Sequence, residues 1–493
     1  MDAQENETMT RVGPGTPAGE TLRRYWLPIN FSDEVKTDEP KIVRRLAEDL
    51  LLFRDEFGRV GLTEPMCPHR GASLEYGWIE AGGIRCCYHG WVYDVSGRCI
   101  EQPGEPAGSN FKDKITLKAY STREHGGIVW AYMGPGEPPP FPRYDFLVRE
   151  DGERTLNGYF RECNFMNQLD NCLDPVHATI LHGRDVNGVR QNPERAESPE
   201  FEVLADDLFA SYVARRQGPE SGKEWHREVS YTPPILVIHD GGSPPGDSNA
   251  YFADVAWRMP VDDYNTLSFI LKFYPFKEGK STIRPARNSP KPPPLMRGTR
   301  VKFDMTTVNG QDAAAQIGQG RIADRTAEHL GFSDRGVIQV RKLWLSAIQA
   351  VMRGEDPPGI LRDLQDNEML HFDVVGSGRL VNKGELVEHL PRIMRYASEN
   401  FAPQNHLPKS FLRARRNYGF FARARFGRSL SPNTGELENR LGSDTKSGRE
   451  RRPVSDLRTD RRRSAETLHR SFPAGFPQDQ SELYAGTDER GYF

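Results

Sequence analysis

The chain has 493 residues, a near-neutral formal charge of −3, 37% hydrophobic residues and 27% charged residues. This balance provides no global field for nucleic acid or an anionic membrane, and no run approaches the roughly 20 apolar residues of a bilayer span. The opening MDAQENETMT lacks the basic and apolar regions of a secretory signal, so the expectation is a soluble cytoplasmic protein of about three units at roughly 150 residues each.

Residues 20–134 read as β-rich. Asp49–Arg54 and Gly127–Met133 are short apolar runs bounded by Gly, Pro and Asp. The stretch Gly134-Pro-Gly-Glu-Pro-Pro-Pro-Phe-Pro142 can continue neither sheet nor helix and marks a boundary. Beyond it, Tyr231–His239 and Thr266–Tyr274 look like strands, while helices are expected over Phe165–Leu181, Asp312–Leu330 and Val337–Met352. A Pro-rich loop runs from Pro285 to Pro294. Strands followed by helices imply an α+β arrangement rather than a doubly wound sheet. The expected organisation is a β-rich unit over 1–140 with its core at about 25–134, an α+β unit over 141–402, and a partly mobile extension over 403–493. In residues 440–470 arginines alternate with acids, which reads as a solvated surface rather than a patch for an anionic partner.

Four of the six cysteines, Cys67, Cys86, Cys87 and Cys99, fall within one short region; Cys163 and Cys172 follow later. In a cytoplasmic chain such clustering points to metal before disulfides. Cys67-Pro-His69-Arg-Gly71 is followed by Cys86-Cys-Tyr-His89-Gly-Trp91. This is C-x-H and then C-x-x-H, one thiolate and one imidazole from each loop. A zinc site more often pairs like ligands within a loop. The mixed pairs suit a [2Fe–2S] cluster with two Cys on one iron and two His on the other. The spacing selects Cys86 as ligand and leaves Cys87 as a packed thiol; Tyr88 and Trp91 are expected to pack beneath the cluster.

A second constellation is Asp170, Asp174, His177 and His182, reading D-x3-D-x2-H-x4-H. Oxygen activation at non-haem Fe(II) uses two His and one carboxylate on one face of the metal. Residues five apart on a regular helix point about 140° apart, so a π-bulge or a break is expected between the histidines. Asp174-Pro175 reads as a helix restart, with Asp as N-cap and Pro at the first helical position. The remaining carboxylate must come from later in the chain. Asp312, at the start of a helical run, is the choice, with Asp304 and Asp324 as competitors.

CPHRGA and CCYHGW resemble the Rieske domain of aromatic ring-hydroxylating oxygenases. Respiratory-chain Rieske proteins carry an additional cysteine in each loop, joined as a disulfide; the first loop here continues Arg70-Gly-Ala-Ser73 without one. Residues 164–182 resemble the catalytic motif of the same family, whose usual Glu is here Asp170, left without a role. Asp324-Arg-Thr-Ala-Glu-His-Leu-Gly-Phe-Ser-Asp334-Arg-Gly336 resembles the phthalate 4,5-dioxygenase-like branch, which includes O-demethylases, and His329 within it is read as structural. The resemblance covers roughly residues 10–350.

The resemblance implies a Rieske domain followed by a helix-grip-like antiparallel sheet with helices. It implies one [2Fe–2S] cluster on Cys67, His69, Cys86 and His89. It also implies one mononuclear Fe(II) on His177, His182 and, where the family's late ligand falls, Asp312. The activity implied is that of an oxygenase component using O2 and electrons from a separate NAD(P)H-dependent reductase or ferredoxin to hydroxylate or O-demethylate a small aromatic substrate. A head-to-tail homotrimer is implied, in which Asp174 bridges a neighbour's His89 to His177. The rival reading is a Rieske electron carrier, which has no need of His177, His182 and Asp312. A mostly apolar substrate pocket is expected from the strands between 200 and 300.

Overall fold

The computed structural model describes residues 1–183, 199–217, 221–240, 253–276, 303–373, 379–382 and 392–397. The Pro285–Pro294 loop and the extension beyond 403 lie outside the described residues.

The chain begins with helices α1 (Ala3–Thr10) and α2 (Pro17–Arg23). The strands β1 (Trp26–Phe31), β2 (Lys41–Arg45), β3 (Glu48–Arg54), β4 (Val60–Thr63), β9 (Ala119–His125) and β10 (Ile128–Tyr132) form an antiparallel sheet in the order β1-β10-β9-β4-β3-β2. Between β4 and β9 the chain builds a second, four-stranded sheet from β5 (Trp78–Glu80), β6 (Gly83–Arg85), β7 (Val92–Asp94) and β8 (Cys99–Glu101). The apolar run in β3 is continuous because it serves two cores. Leu50 and Leu52 enter the main core, while Leu51 and Phe53, on the opposite face, enter a satellite core with Cys67, Cys86, Trp91 and Tyr93. That satellite core is the floor beneath the two cysteine loops.

After the Pro-rich connection come α3 (Asp145–Val148), β11 (Gly152–Arg161), α4 (Phe165–Cys172) and α5 (His177–Ile180). The strands β12 (Glu200–Ala205), β13 (Ala210–Gln217), β14 (Lys223–Thr232), β15 (Leu236–Asp240), β16 (Ala253–Asp262) and β17 (Asn265–Pro275) follow. They pair antiparallel in the order β11-β17-β16-β15-β14-β13-β12. Two longer helices, α6 (Val308–Gly318) and α7 (Arg335–Met352), complete the layer over the sheet, followed by β18 (Glu368–Asp373), β19 (Arg379–Asn382) and β20 (Arg392–Ala397). β19 adds to β14, and β18 pairs with β20.

The large sheet has two working faces. On one, Trp257 meets Trp130 at 5.1 Å and Phe269 meets Phe31 at 5.0 Å, which packs the two halves into one core. The backbone amides of Leu46 and Ala47 donate to Pro260 O and Val261 O across this junction. The other face carries Tyr159, Ser268 and Arg258 in lateral register. Helix α4 covers it, and Ser268 Oγ donates to Gln168 Oε1 at 2.9 Å. The N-terminal helices pack against α7, with Trp344 Nε1 donating to Met9 O at 3.0 Å. No described helix is long and apolar enough to cross a membrane.

Three elements differ from expectation. The strand-like run Tyr231–His239 is the end of β14 and all but the last residue of β15, separated at Pro233-Pro234, where two ladder donors are missing. The helix expected over Asp312–Leu330 begins earlier, at Val308, and ends at Gly318; Gly320 sits at φ +96°, the left-handed conformation that closes helices. The helix expected over Phe165–Leu181 is two helices, and their break shapes the site.

Candidate metal centres

The two cysteine loops share one backbone design. Cys67 N donates to Ala72 O and Gly71 N to Cys67 O; Cys86 N donates to Trp91 O and Gly90 N to Cys86 O. The fifth residue of each loop is a glycine at positive φ, +70° at Gly71 and +74° at Gly90. A side chain there would be strained, so the motif glycines are turn residues. The turns bury both thiols and leave both imidazoles at the surface edge, with ring centroids 4.4 Å apart. His69 stacks on Trp91, also at 4.4 Å, and Cys67 Sγ lies 3.3 Å from Tyr93 Oη. Burial pushes the Cys67 thiol up against the hydrogen bond with Tyr93, so a bound cation is what would hold it as thiolate. Two soft donors inside and two imidazoles outside fit a [2Fe–2S] cluster. Trp91 packs here as expected. Tyr88 does not lie beneath: it is exposed, ring to ring with His89 and under Arg70. Cys87 is exposed rather than packed, although its neighbour Cys86 is buried.

The second centre depends on a break. Pro175 has no N–H and disfavours a helical Asp174, so α4 ends at Cys172 and α5 begins at His177. Asp174 Oδ1 accepts from Val176 N at 2.8 Å and His177 N at 3.2 Å, closing the turn that leads into α5; the N-cap position itself is Val176, two residues later than the expected Asp174. Helix α5 lasts four residues, and His182 lies in the turn after it. This early stop, rather than a π-bulge, overcomes the 140° offset. Both rings now face Asp312 from α6, their centroids 5.2 Å apart at 80°. His182 Nε2 is 3.2 Å and His177 Nε2 is 3.9 Å from Asp312 Oδ1. One ligand atom from each of the three residues lies within 4.8 Å of the others.

Hydrogen bonding sets the tautomers. His177 Nδ1 is 2.5 Å from Asp174 O, a group that can only accept. Gln311 Nε2 donates to Met305 O at 2.9 Å, which turns Gln311 Oε1 toward His182 Nδ1 at 2.8 Å. Both Nδ1 atoms therefore carry a proton, which leaves Nε2 of each ring as the atom that a metal would take. Burial pushes the Asp312 carboxyl up, but His182, Arg161 and His177 outweigh it and hold it below the usual carboxylate range. The donor set of two imidazoles and a carboxylate matches non-haem Fe(II).

The rival carboxylates are used elsewhere. Asp304 caps Thr306 and Asp324 caps Thr326, both on exposed turns. His329 is exposed and bonded to Ala327 O. Asp170 serves the fold instead. Arg325 at 2.9 Å and Arg341 at 2.8 Å clamp its carboxylate, and Arg341 also pairs with Glu328 at 2.6 Å. The Asp324-to-Gly331 segment thus supplies partners that lock α4 to α7. Sequence reasoning missed Gln311, Asn171 (3.5 Å from Asp312 Oδ1) and the buried Arg161 and Arg258. Gln311, adjacent to Asp312, and Asn171, within the 164–182 motif, carried a positional signal; the two arginines carried none. A crevice between the halves, lined by Tyr25, Trp130, Tyr144 and Trp257, offers about 50 Å³. That is well below the roughly 300 Å³ of an ordinary ligand pocket, and no residue of the triad lines it.

Residues 25–120 match the model of the Rieske [2Fe-2S] domain. The chain is 33% identical to the 5,5'-dehydrodivanillate O-demethylase oxygenase subunit of Sphingobium sp. (strain NBRC 103272 / SYK-6), covering 77% of this chain and 89% of that protein. It is 35% identical to the phenoxybenzoate dioxygenase subunit alpha of Ectopseudomonas oleovorans, over 71% and 87%. It is 32% identical to the phthalate 4,5-dioxygenase oxygenase subunit of Pseudomonas putida, over 73% and 89%. The fold is shared with the Pseudomonas putida CBB5 NdmA QL mutant with caffeine, at a TM-score of 0.51 and 18% identity, over 71% and 99%. A paired-loop site of Rieske type and kinship to oxygenase subunits over more than two thirds of both chains lead to one assignment: the chain belongs to the family of Rieske-type aromatic ring-hydroxylating oxygenases, as an oxygenase subunit of a multicomponent enzyme.

Proposed function

We propose that Cys67, His69, Cys86 and His89 hold the [2Fe–2S] cluster and that His177, His182 and Asp312 hold one Fe(II), with a small aromatic compound as substrate, hydroxylated or O-demethylated. The observation that carries the iron reading is the inward convergence of His177 Nε2, His182 Nε2 and an Asp312 carboxylate oxygen. A pure electron carrier has no use for that convergence. When bound, the cluster supplies single electrons and the lone iron supplies the site of dioxygen activation.

The chain's own residues prepare both sites. Asp174 O and Gln311 Oε1 hold the Nδ1 protons, so neither histidine can rotate its donor atom away without losing a hydrogen bond. Asp174 keeps its side chain 27% exposed while its Oδ1 accepts from Val176 N in the turn before α5, which leaves a carboxylate edge for a second copy to reach. His89 is half-exposed at the tip of its loop. These two accessible groups support a head-to-tail homotrimer in which Asp174 joins His177 to His89 of a neighbouring copy. A separate reductase or ferredoxin supplies the electrons. The substrate class draws on relatives named for dehydrodivanillate, phenoxybenzoate and phthalate.

The test is His177→Ala in full-length protein with a surrogate reductase, a panel of aromatic acids and methoxy-aromatics, and oxygen uptake as readout. Uptake should vanish, and iron content should fall, while the visible cluster spectrum persists. Retained uptake or unchanged iron would refute the triad.

A further inference from the structure

Behind the triad the sheet buries two arginines. Arg258 on β16 is 5% exposed and Arg161 on β11 is 3% exposed. Among the described residues neither guanidinium is paired with a carboxylate. Arg161 bonds Gln316 Oε1 and both the backbone and side-chain oxygens of Asn309. Arg258 bonds Tyr159 Oη, the Cys172 sulfur at 3.5 Å and His239 Nε2 at 3.3 Å. The Nε of each arginine is buried without a partner. The Tyr159 ring has Arg161 at 4.4 Å and Arg258 at 5.6 Å.

The charge of Asp312 acts on Arg258, and that of Arg161 acts on Asp312. A divalent ion held by Asp312 and two neutral imidazoles would absorb that negative charge. Two guanidiniums and a cation would then share one buried space without a counter-ion among the described residues, a costly arrangement in a low dielectric. An anion in the same space relieves it.

We propose that Arg258 anchors an anionic group, a carboxylate, on the aromatic substrate that enters beside His177, His182 and Asp312. The proposal rests on the iron reading above and deepens it by assigning the substrate's charge. Arg161 is the lesser choice, because its fork is spent on α6 and so positions the helix that carries Asp312. Arg258 is held by a phenol, a sulfur and an imidazole nitrogen, and a carboxylate oxygen is a stronger acceptor than an uncharged group. Its planar fork matches a carboxylate in a way a point charge cannot. His239 accepts from Arg258 through Nε2, and burial together with Arg258 pushes its pKa well down. His239 is therefore a neutral neighbour that adds no competing charge.

The experiment is calorimetric titration of the full chain, iron-loaded and iron-free, with 4-methoxybenzoate and its neutral isostere 4-methoxybenzamide. Wild type should bind the acid at least about tenfold more tightly than the amide, the worth of one charge-assisted hydrogen bond. Arg258→Met should bring the two within about twofold of each other, with the cluster spectrum unchanged, and Arg258→Lys should retain part of the preference because the charge remains. Equal affinities in wild type, absence of binding by the acid, or an undiminished preference in Arg258→Met would overturn the proposal. The wild-type comparison decides even where the Met variant does not fold. Failure of the iron reading shows separately, as His177→Ala protein that keeps its full iron content.

Discussion

The two loops proposed to hold the cluster and the triad proposed to hold the iron draw on overlapping ligand chemistry but assemble it differently. All four cluster residues lie between Cys67 and His89, on two turns of the same design over a small core of their own. The triad collects His177 and His182 from a broken helix and Asp312 from another helix, with strands β12 to β17 in between. One site is made by local turns and the other by tertiary docking. Changes far from the metal should therefore spare the first and disturb the second.

The largest effect expected is at the triad itself. His182→Ala should abolish oxygen uptake while leaving the visible cluster spectrum intact. Cys86→Ser should do the reverse to the metals, removing the cluster absorbance but leaving the triad's iron; loss of both metals in either variant would erase the distinction between the two sites.

Next comes the clamp that docks α4. Asp170→Asn leaves Arg325 and Arg341 without their shared carboxylate, and breaking a buried pair costs about 3–5 kcal/mol. The thermal unfolding midpoint should fall, and iron should be lost from the triad before the cluster bleaches. The clamp also has a pH signature. Burial pushes the Asp170 carboxyl up, but Arg325 and Arg341 outweigh it and hold it below the usual range. A carboxyl depressed in the folded state adds stability above its unfolded pKa of about 4 and loses it as pH falls below that value. Wild-type stability should drop on acidification below about pH 4, and the Asn variant should show a flatter acid limb in denaturant titrations. Equal slopes would mean that Asp170 contributes nothing to the acid transition.

A smaller effect is expected at Gln311. Gln311→Leu deprives His182 Nδ1 of its acceptor, and outer-shell losses of this kind cost about 10–100-fold in metal affinity. Iron titration of the apo-triad reads this directly, with Gln311→Glu expected to restore much of the affinity. The smallest effect is at Cys87. Because its thiol is exposed, Cys87→Ser should leave cluster absorbance, sulfide content and uptake unchanged. A bleached cluster in that variant would mean that the loop uses the other cysteine.

Legibility followed the same division. The paired-loop arrangement of Cys67, His69, Cys86 and His89 was readable because these residues and the turn glycines are contiguous. The helix break was readable at Asp174-Pro175, where a missing donor and a turn-closing carboxylate stand side by side, although its form, an early stop after Ile180, was not. The strand break at Pro233-Pro234 and the end of α6 near Gly320 are each marked by their own residues, but the apolar periodicity runs straight through them. The positions of Tyr88 and Cys87 were not legible, because spacing within a turn does not report which residues face out.

Taken alone, the amino-acid order determined which side chains are competent metal donors and where the backbone must turn, since both properties belong to residues and their immediate neighbours. Tertiary structure decided which nitrogen each histidine offers, that Gln311 and Asp174 enforce the choice, that Asp170 docks a helix, and that Arg161 and Arg258 are buried near Asp312 without acidic partners among the described residues. Those outcomes depend on lateral neighbours in a sheet and on helices docked across it. Such contacts join residues far apart along the chain, and no spacing within a motif encodes them.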